Sequence, residues 1–174
     1  MRMSWLLLGV ALSAVPTTSL GQEKAAAAAP ARPAPLQRLQ FLEGRWKFTG
    51  VYLPLTAREK IDEVTRCEWR NRFLICTEET DLGGMQMFSY NDDTQRFEGV
   101  YAQGNGDFVP HLFHWDEGRL ISEYELFVDG KLRHARRTIT PGPDANSWRW
   151  IVQDLGDPKQ LVVVVDITAT RLPN

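Results

Sequence analysis

RLISEYELFVDGKLRHARRTIT, residues 119 to 140, alternates apolar and polar side chains on either side of Asp129-Gly130. That dipeptide favours the two-residue type I′ turn of a β-hairpin. With it as the loop, Val128 faces Lys131, Phe127 faces Leu132, Glu125 faces His134 and Glu123 faces Arg136. Opposite charges meet in this row, which suits a solvent face. The other face carries Leu120, Ser122, Tyr124 and Leu126, with Arg133, Ala135 and Arg137 from the partner strand. Regular pairing makes this face interior and brings two arginines and a phenol into the core. A one-residue bulge would turn the arginines to water instead.

The same period of two runs through most of the chain. Ten such segments follow one another, at about 45 to 53, 59 to 69, 73 to 80, 84 to 90, 95 to 102, 107 to 115, 119 to 128, 131 to 140, 147 to 155 and 161 to 171. Turn chemistry separates them: Asn91-Asp92-Asp93, Gly104-Asn105-Gly106 and Pro141-Gly142-Pro143. No interval can hold a crossover helix, so the strands are antiparallel neighbours in a meander. Ten such strands curl, and closure removes their edges. The expected fold is all-β: an antiparallel up-and-down β-barrel of about ten strands behind one short N-terminal helix, Leu36 to Glu43.

The ends read differently. Residues 1 to 21 carry Arg2, the apolar run Trp5 to Val15 and the small residues Ser19 and Gly21, the pattern of a signal peptide cleaved before Gln22. The run is too short to span a bilayer, so no stable membrane insertion is expected after cleavage. Residues 22 to 35 are Ala- and Pro-rich and form a linker, leaving 36 to 174 as the barrel domain. The expected location is the periplasm or the outside of the cell. With 43% hydrophobic and 24% charged residues the chain is globular, and its net charge of −2 gives nucleic acid no basic surface to bind.

Gly44-Arg45-Trp46 enters the first strand after a Leu-rich turn, Trp69 to Leu74 reads WRNRFL, and Arg171 closes the last strand. This pattern resembles an uncharacterised family of bacterial lipocalin-like (calycin) domains. The resemblance implies a barrel whose first-strand Trp46 packs across the closed end beneath Arg171, a structural plug. The pattern is also distantly similar to nitrobindins, ten-stranded barrels that hold haem through a histidine on a late strand. The last two segments here contain no histidine, which leaves only His114 as a remote candidate, and no cofactor is expected.

Cys67 and Cys76 are the only cysteines, and a two-residue loop at Asn71-Arg72 sets them directly opposite each other as a cross-strand disulfide. His111 and His114 are three apart on one strand and point to opposite faces, so no metal site is expected; His111 should be exposed and His114 half-buried. No nucleophile elbow, phosphate loop or zinc signature appears, so no catalytic residue is nominated. A three-residue loop Asp116-Glu117-Gly118 would place His114 opposite Leu120. The expected ligand wall is then Trp69, His114, Tyr124, Arg133, Arg137, Trp148 and Trp150. Such a wall suits a small apolar or amphipathic molecule with a carboxylate or sulfate head group, because Arg offers forked, charge-assisted bonds. The alternatives are a filled barrel acting as an interaction or envelope-stress module, and an enzyme on a small lipophilic substrate.

Overall fold

The computed structural model describes residues 32–52, 59–80, 83–104, 106–128, 131–156 and 162–173. The signal-peptide reading, most of the linker reading and the Asp129-Gly130 turn lie outside the described residues. Ten antiparallel strands form a closed barrel: β1 (Gly44–Tyr52), β2 (Glu59–Arg70), β3 (Phe73–Glu78), β4 (Met85–Asn91), β5 (Arg96–Ala102), β6 (Phe108–Asp116), β7 (Arg119–Val128), β8 (Lys131–Pro141), β9 (Ser147–Asp154) and β10 (Val162–Arg171). Each pairs with its neighbour in the chain, and β1 closes on β10. Among the described strands no sheet edge is left.

The β7–β8 hairpin keeps its expected register. Val128 pairs with Lys131 and Glu123 with Arg136, and Arg136 Nη2 donates to Glu123 Oε1 at 2.6 Å on the outer surface. No bulge interrupts β7 and β8, so the opposite face is interior, with Leu120 and Ser122 fully buried and Arg137 only 4% exposed.

Two local expectations need correction. The helix expected over Leu36 to Glu43 is instead a four-residue helix α1 (Ala34–Gln37) followed by a 3₁₀ turn (Gln40–Leu42). Pro33 and Pro35 lack N–H donors and fit the first turn, which starts the helix earlier. The spacing of three between Leu36, Leu39 and Leu42 suits a three-residue turn, which lays all three on one face, and all three are buried. The second correction is at the β6–β7 connection. Asp116 pairs with Arg119, so the loop is only Glu117-Gly118, with φ of 46° and 79°. Two successive positive φ values are the requirement of a type I′ turn. Losing one loop residue moves β6 by one position against β7, and every side chain of β6 changes face relative to the expectation.

The chain folds into a floor and a mouth. The leucines of α1 and the 3₁₀ turn pack under the barrel with Trp46 and Leu74, closing the end at which β1 begins. Trp46 and Arg171 are direct partners across β1 and β10. The Arg171 guanidinium lies 4.2 Å above the Trp46 ring and donates to the Glu43 and Ala145 carbonyls, both at 2.9 Å, while the indole N–H donates to the Leu42 carbonyl at 2.8 Å. Gly44 is required there: its φ is +129°, and a Cβ would stand 2.3 Å from Arg171 Nη1.

Candidate functional site

Above this floor the barrel's interior changes from apolar to polar. A cavity of about 30 Å³ lies at the change, room for about two water molecules. Leu42, Phe48, Cys76, Phe88, Ile139 and Trp148 are its apolar lining, and Thr65, Glu78, Gln86, Tyr101, Arg137 and Trp150 bring polar groups to its wall.

Arg137 dominates the site. Its place on β8, between inward Ala135 and inward Ile139, fixes its direction. The guanidinium lies 4.5 Å from the Trp150 ring centre and about equally far from Tyr124 and Tyr101, at 5.5 and 5.6 Å. Its Nη1 donates to Gln86 Oε1 at 2.5 Å, while Nε has no partner. Burial presses its pKa down, and the groups that oppose this are the Tyr124 and Tyr101 phenols, not a carboxylate. An arginine nevertheless keeps its proton in a protein, so a buried charge stands in an aromatic cage with no carboxylate paired to it among the described residues. Nearby, the Trp148 and Trp150 indole N–H groups and the Thr65 hydroxyl also lack partners. Buried polar groups are ordinarily hydrogen-bonded, so these unmet groups stand out, but they are sealed off by packing and the cavity surface itself is apolar.

A second set of polar groups faces them. Glu78 Oε1 accepts from the Tyr101 hydroxyl at 3.0 Å and Oε2 from the Gly84 amide at 2.7 Å. Burial and the Glu78 carboxyl push the Tyr101 pKa up, so it stays a phenol at any ordinary pH. Glu63 lies on β2 opposite Phe48, and desolvation followed by the nearby Glu78 raises its pKa to about 7. On the far wall His111 Nδ1 meets Ser122 Oγ at 3.2 Å, and the ring stacks on Phe113 and meets Tyr124 edge-on at 4.3 Å. Burial, then Arg137, pushes its pKa down to about 2, so the imidazole is neutral. Both partners of this pair are buried and neither lines the cavity, which makes it a tie between β6 and β7 rather than a nucleophile and its base.

The expected wall residues therefore divide. Trp148, Trp150 and Arg137 meet at the cavity, and Tyr124 stands directly behind Arg137. Arg133 is inside but nearer the mouth, where its Nη1 pairs with Asp154 at 3.4 Å. Trp69 is on the inner face yet at the floor: its indole donates to Glu43 Oε2 at 3.1 Å, and Arg32 covers its ring at 4.4 Å, so it is not a cavity residue. His114 is a correction. The shortened β6–β7 loop turns it to the exposed outer face and brings His111, expected to be exposed, inside at 2% exposure. Glu63, Glu78, Tyr101 and Gln86 are interior residues that the sequence reading did not nominate.

Cys67 and Cys76 pair across β2 and β3 and form a disulfide, with Cα atoms 3.9 Å apart. Among the described residues, no three His, Cys, Asp or Glu side chains converge to hold a metal ion, and no helix is long and apolar enough to cross a membrane. His111 is the one described histidine inside, and Phe113 and Tyr124 cover its ring, so it is not placed to serve as an axial ligand of haem. No protein-family model matches the chain, and no curated protein matches it.

Proposed function

We propose that this chain is an exported, lipocalin-like barrel that holds a small apolar or amphipathic molecule, its apolar part toward Phe48 and Trp148 and its polar head at Arg137. One observation carries the reading: among the described residues the buried Arg137 guanidinium has no carboxylate partner, and it stands against the Trp150 ring at the edge of an apolar cavity. An acceptor-bearing head group within reach of Arg137 meets that need. The cavity's size limits the buried part of the ligand to a few heavy atoms unless side chains move. Export is supported by the disulfide, which persists in oxidising compartments.

Native mass spectrometry of the protein purified without refolding, followed by the denatured mass, tests the proposal. A small adduct released on denaturation supports it. A clean mass that stays clean after incubation with short-chain carboxylates and alcohols counts against it.

A filled barrel acting as an interaction module is the second reading, and the outer face of β3 to β6 favours it. Ile75, Met87, Val100 and Pro110 form one cross-strand row, and Met85, Ala102 and Phe108 lie in the next, with Phe108 69% exposed. A charge-free strip of this kind is unusual on a barrel whose other walls carry ion pairs.

A further inference from the structure

The outer face of β3 to β6 reaches farthest at its sides. At the crest of this convex wall Met87 on β4 and Val100 and Ala102 on β5 are half-buried. On the flanking strands Phe73, Leu112 and Phe108 stand 41%, 53% and 69% exposed. Side chains that rise away from the crest offset the curvature and present a plane. Three rows on four strands, at ~4.8 Å between strands and ~6.7 Å between same-face neighbours, give a footprint of about 400 Å², a size at which patches on single chains are often functional. Side-chain relief and the borders on β2 and β7 bring this toward the ~800 Å² per partner of a standard interface.

We propose that two copies of this chain associate through this face, about a two-fold axis that lies in the contact plane and runs along the strands between β4 and β5. Such an axis lays β5 of one copy over β4 of the other and β6 over β3, each contact occurring twice. The registers then match row for row. Val100 meets Met87 of the second copy and Pro110 meets Ile75, all four belonging to one row of the sheet. In the next row toward the mouth Ala102 meets Met85, and Phe108 meets Thr77. In the row toward the floor Leu112 meets Phe73, and Glu98 meets Ser89, a carboxylate over a hydroxyl donor. Phe73 belongs to that row because its neighbour Leu74 pairs with Phe88, the neighbour of Ser89. Beyond them Arg70, the partner of Phe73, meets Glu123, the partner of Leu112. Opposite charges thus meet at both borders. Glu68 and Glu125 share the middle row, but Arg66 and Arg70 both donate to Glu68 and offset its charge. A bilayer suits the face less well, since Glu98 within it and Glu123 and Glu125 beside it would meet lipid phosphates. The dimer needs no ligand inside the barrel, so it stands apart from the ligand-binding reading.

Sedimentation equilibrium of the purified protein tests the association, and cysteine trapping tests its axis. Phe73 and Leu112 of one copy are three strands apart, about 14 Å, too far for a disulfide within the chain, whereas the two-fold axis brings Phe73 of each copy to Leu112 of the other. The wild type is expected at twice the chain mass. Val100→Lys should raise the dissociation constant at least ~100-fold, with its urea midpoint unchanged where both proteins are dissociated, because the side chain points outward. Under mild oxidation Phe73→Cys/Leu112→Cys should cross-link between copies, and neither single variant should. A wild type that sediments as a monomer at ~500 µM overturns the proposal, since a specific interface of this size binds well below that. So does a dimer that survives Val100→Lys, cross-linking of either single variant, or none in the pair. A monomer that floats with phosphatidylcholine–phosphatidylglycerol vesicles, and loses this as Val100→Lys, assigns the face to a bilayer and likewise overturns the dimer. The wild-type mass and the cross-linking pattern decide the matter even where Val100→Lys does not fold.

Discussion

Gly44 and Arg171 should be energetically coupled although they lie at opposite ends of the domain sequence. Arg171→Ala removes a guanidinium 4.2 Å from the Trp46 ring and two hydrogen bonds to carbonyls, one of them part-buried. A cation–π contact of about 0.5 to 2 kcal/mol plus charge-assisted bonds at the weak end of their range gives a loss of about 2 to 4 kcal/mol. Gly44→Ala costs about 1 to 3 kcal/mol for its backbone at φ +129°, and its Cβ, 2.3 Å from Arg171 Nη1, also forces that side chain off the indole. Once Arg171 is gone, only the backbone part remains. The double mutant should therefore be less destabilised than the sum of the singles by about 1 to 3 kcal/mol. Urea unfolding followed by tryptophan fluorescence, with midpoints compared at constant m, measures all four corners of the cycle. Additivity within about 0.5 kcal/mol would refute the plug as described, since the two groups would then not be in contact.

Three further outcomes follow from the interior. Replacing both Cys67 and Cys76 by Ser opens a small cross-strand ring and should lower stability by about 1 to 2 kcal/mol, matched by wild type in reductant; an unchanged urea midpoint contradicts the disulfide. Glu63→Gln should stabilise the unliganded protein at pH 8. The wild-type contribution of this carboxyl is full below pH 4.5 and is lost as pH rises through about 7, so the gain, discounted for partial exposure, is about 1 to 2 kcal/mol at pH 8 and vanishes near pH 4. His111→Gln should flatten the acid side of the stability profile. The neutral imidazole contributes above pH 6.5, and that contribution is lost as pH falls toward about 2; between pH 7 and 4.5 the wild type should lose about 2 to 3 kcal/mol relative to the variant. Equal pH slopes for the two proteins would mean that His111 is not buried as a neutral ring.

The architecture was legible because each hairpin carries its own register signal. Asp129-Gly130 fixed the pairing of β7 with β8, and Asn71-Arg72 that of β2 with β3, disulfide included. Where the turn was misjudged, side-chain direction went with it. Reading Asp116 as a loop residue rather than a strand end exchanged His111 and His114 between inside and outside, because the period of a strand is two. Parity was sufficient to find the missed acids. Once Cys67 and Cys76 face inward, so must Thr65, Glu63 and Glu78, but Glu78-Glu79 reads as an ordinary solvated pair and only its neighbour behaves as one, bonding Arg45 on the surface. Height within the barrel was beyond period-two reasoning. Trp69 points inward as expected, yet its level is set by Glu43 and Arg32, residues of the N-terminal segment whose docking the strand pattern does not encode.

The central claim is that Arg137, beside Trp150, holds the polar head of a ligand whose apolar part lies toward Trp148. Proton–nitrogen correlation spectra of the side-chain N–H groups, recorded while pentanoate is added at pH 6.5, test it directly. The account predicts large, saturable shifts at Arg137 Nε and at the Trp148 and Trp150 indoles, which lack partners, and little change at Trp46 and Trp69, whose indoles are bonded at the floor. Saturating shifts confined to Trp69 or to the outer face, with Arg137 Nε unmoved, would contradict it.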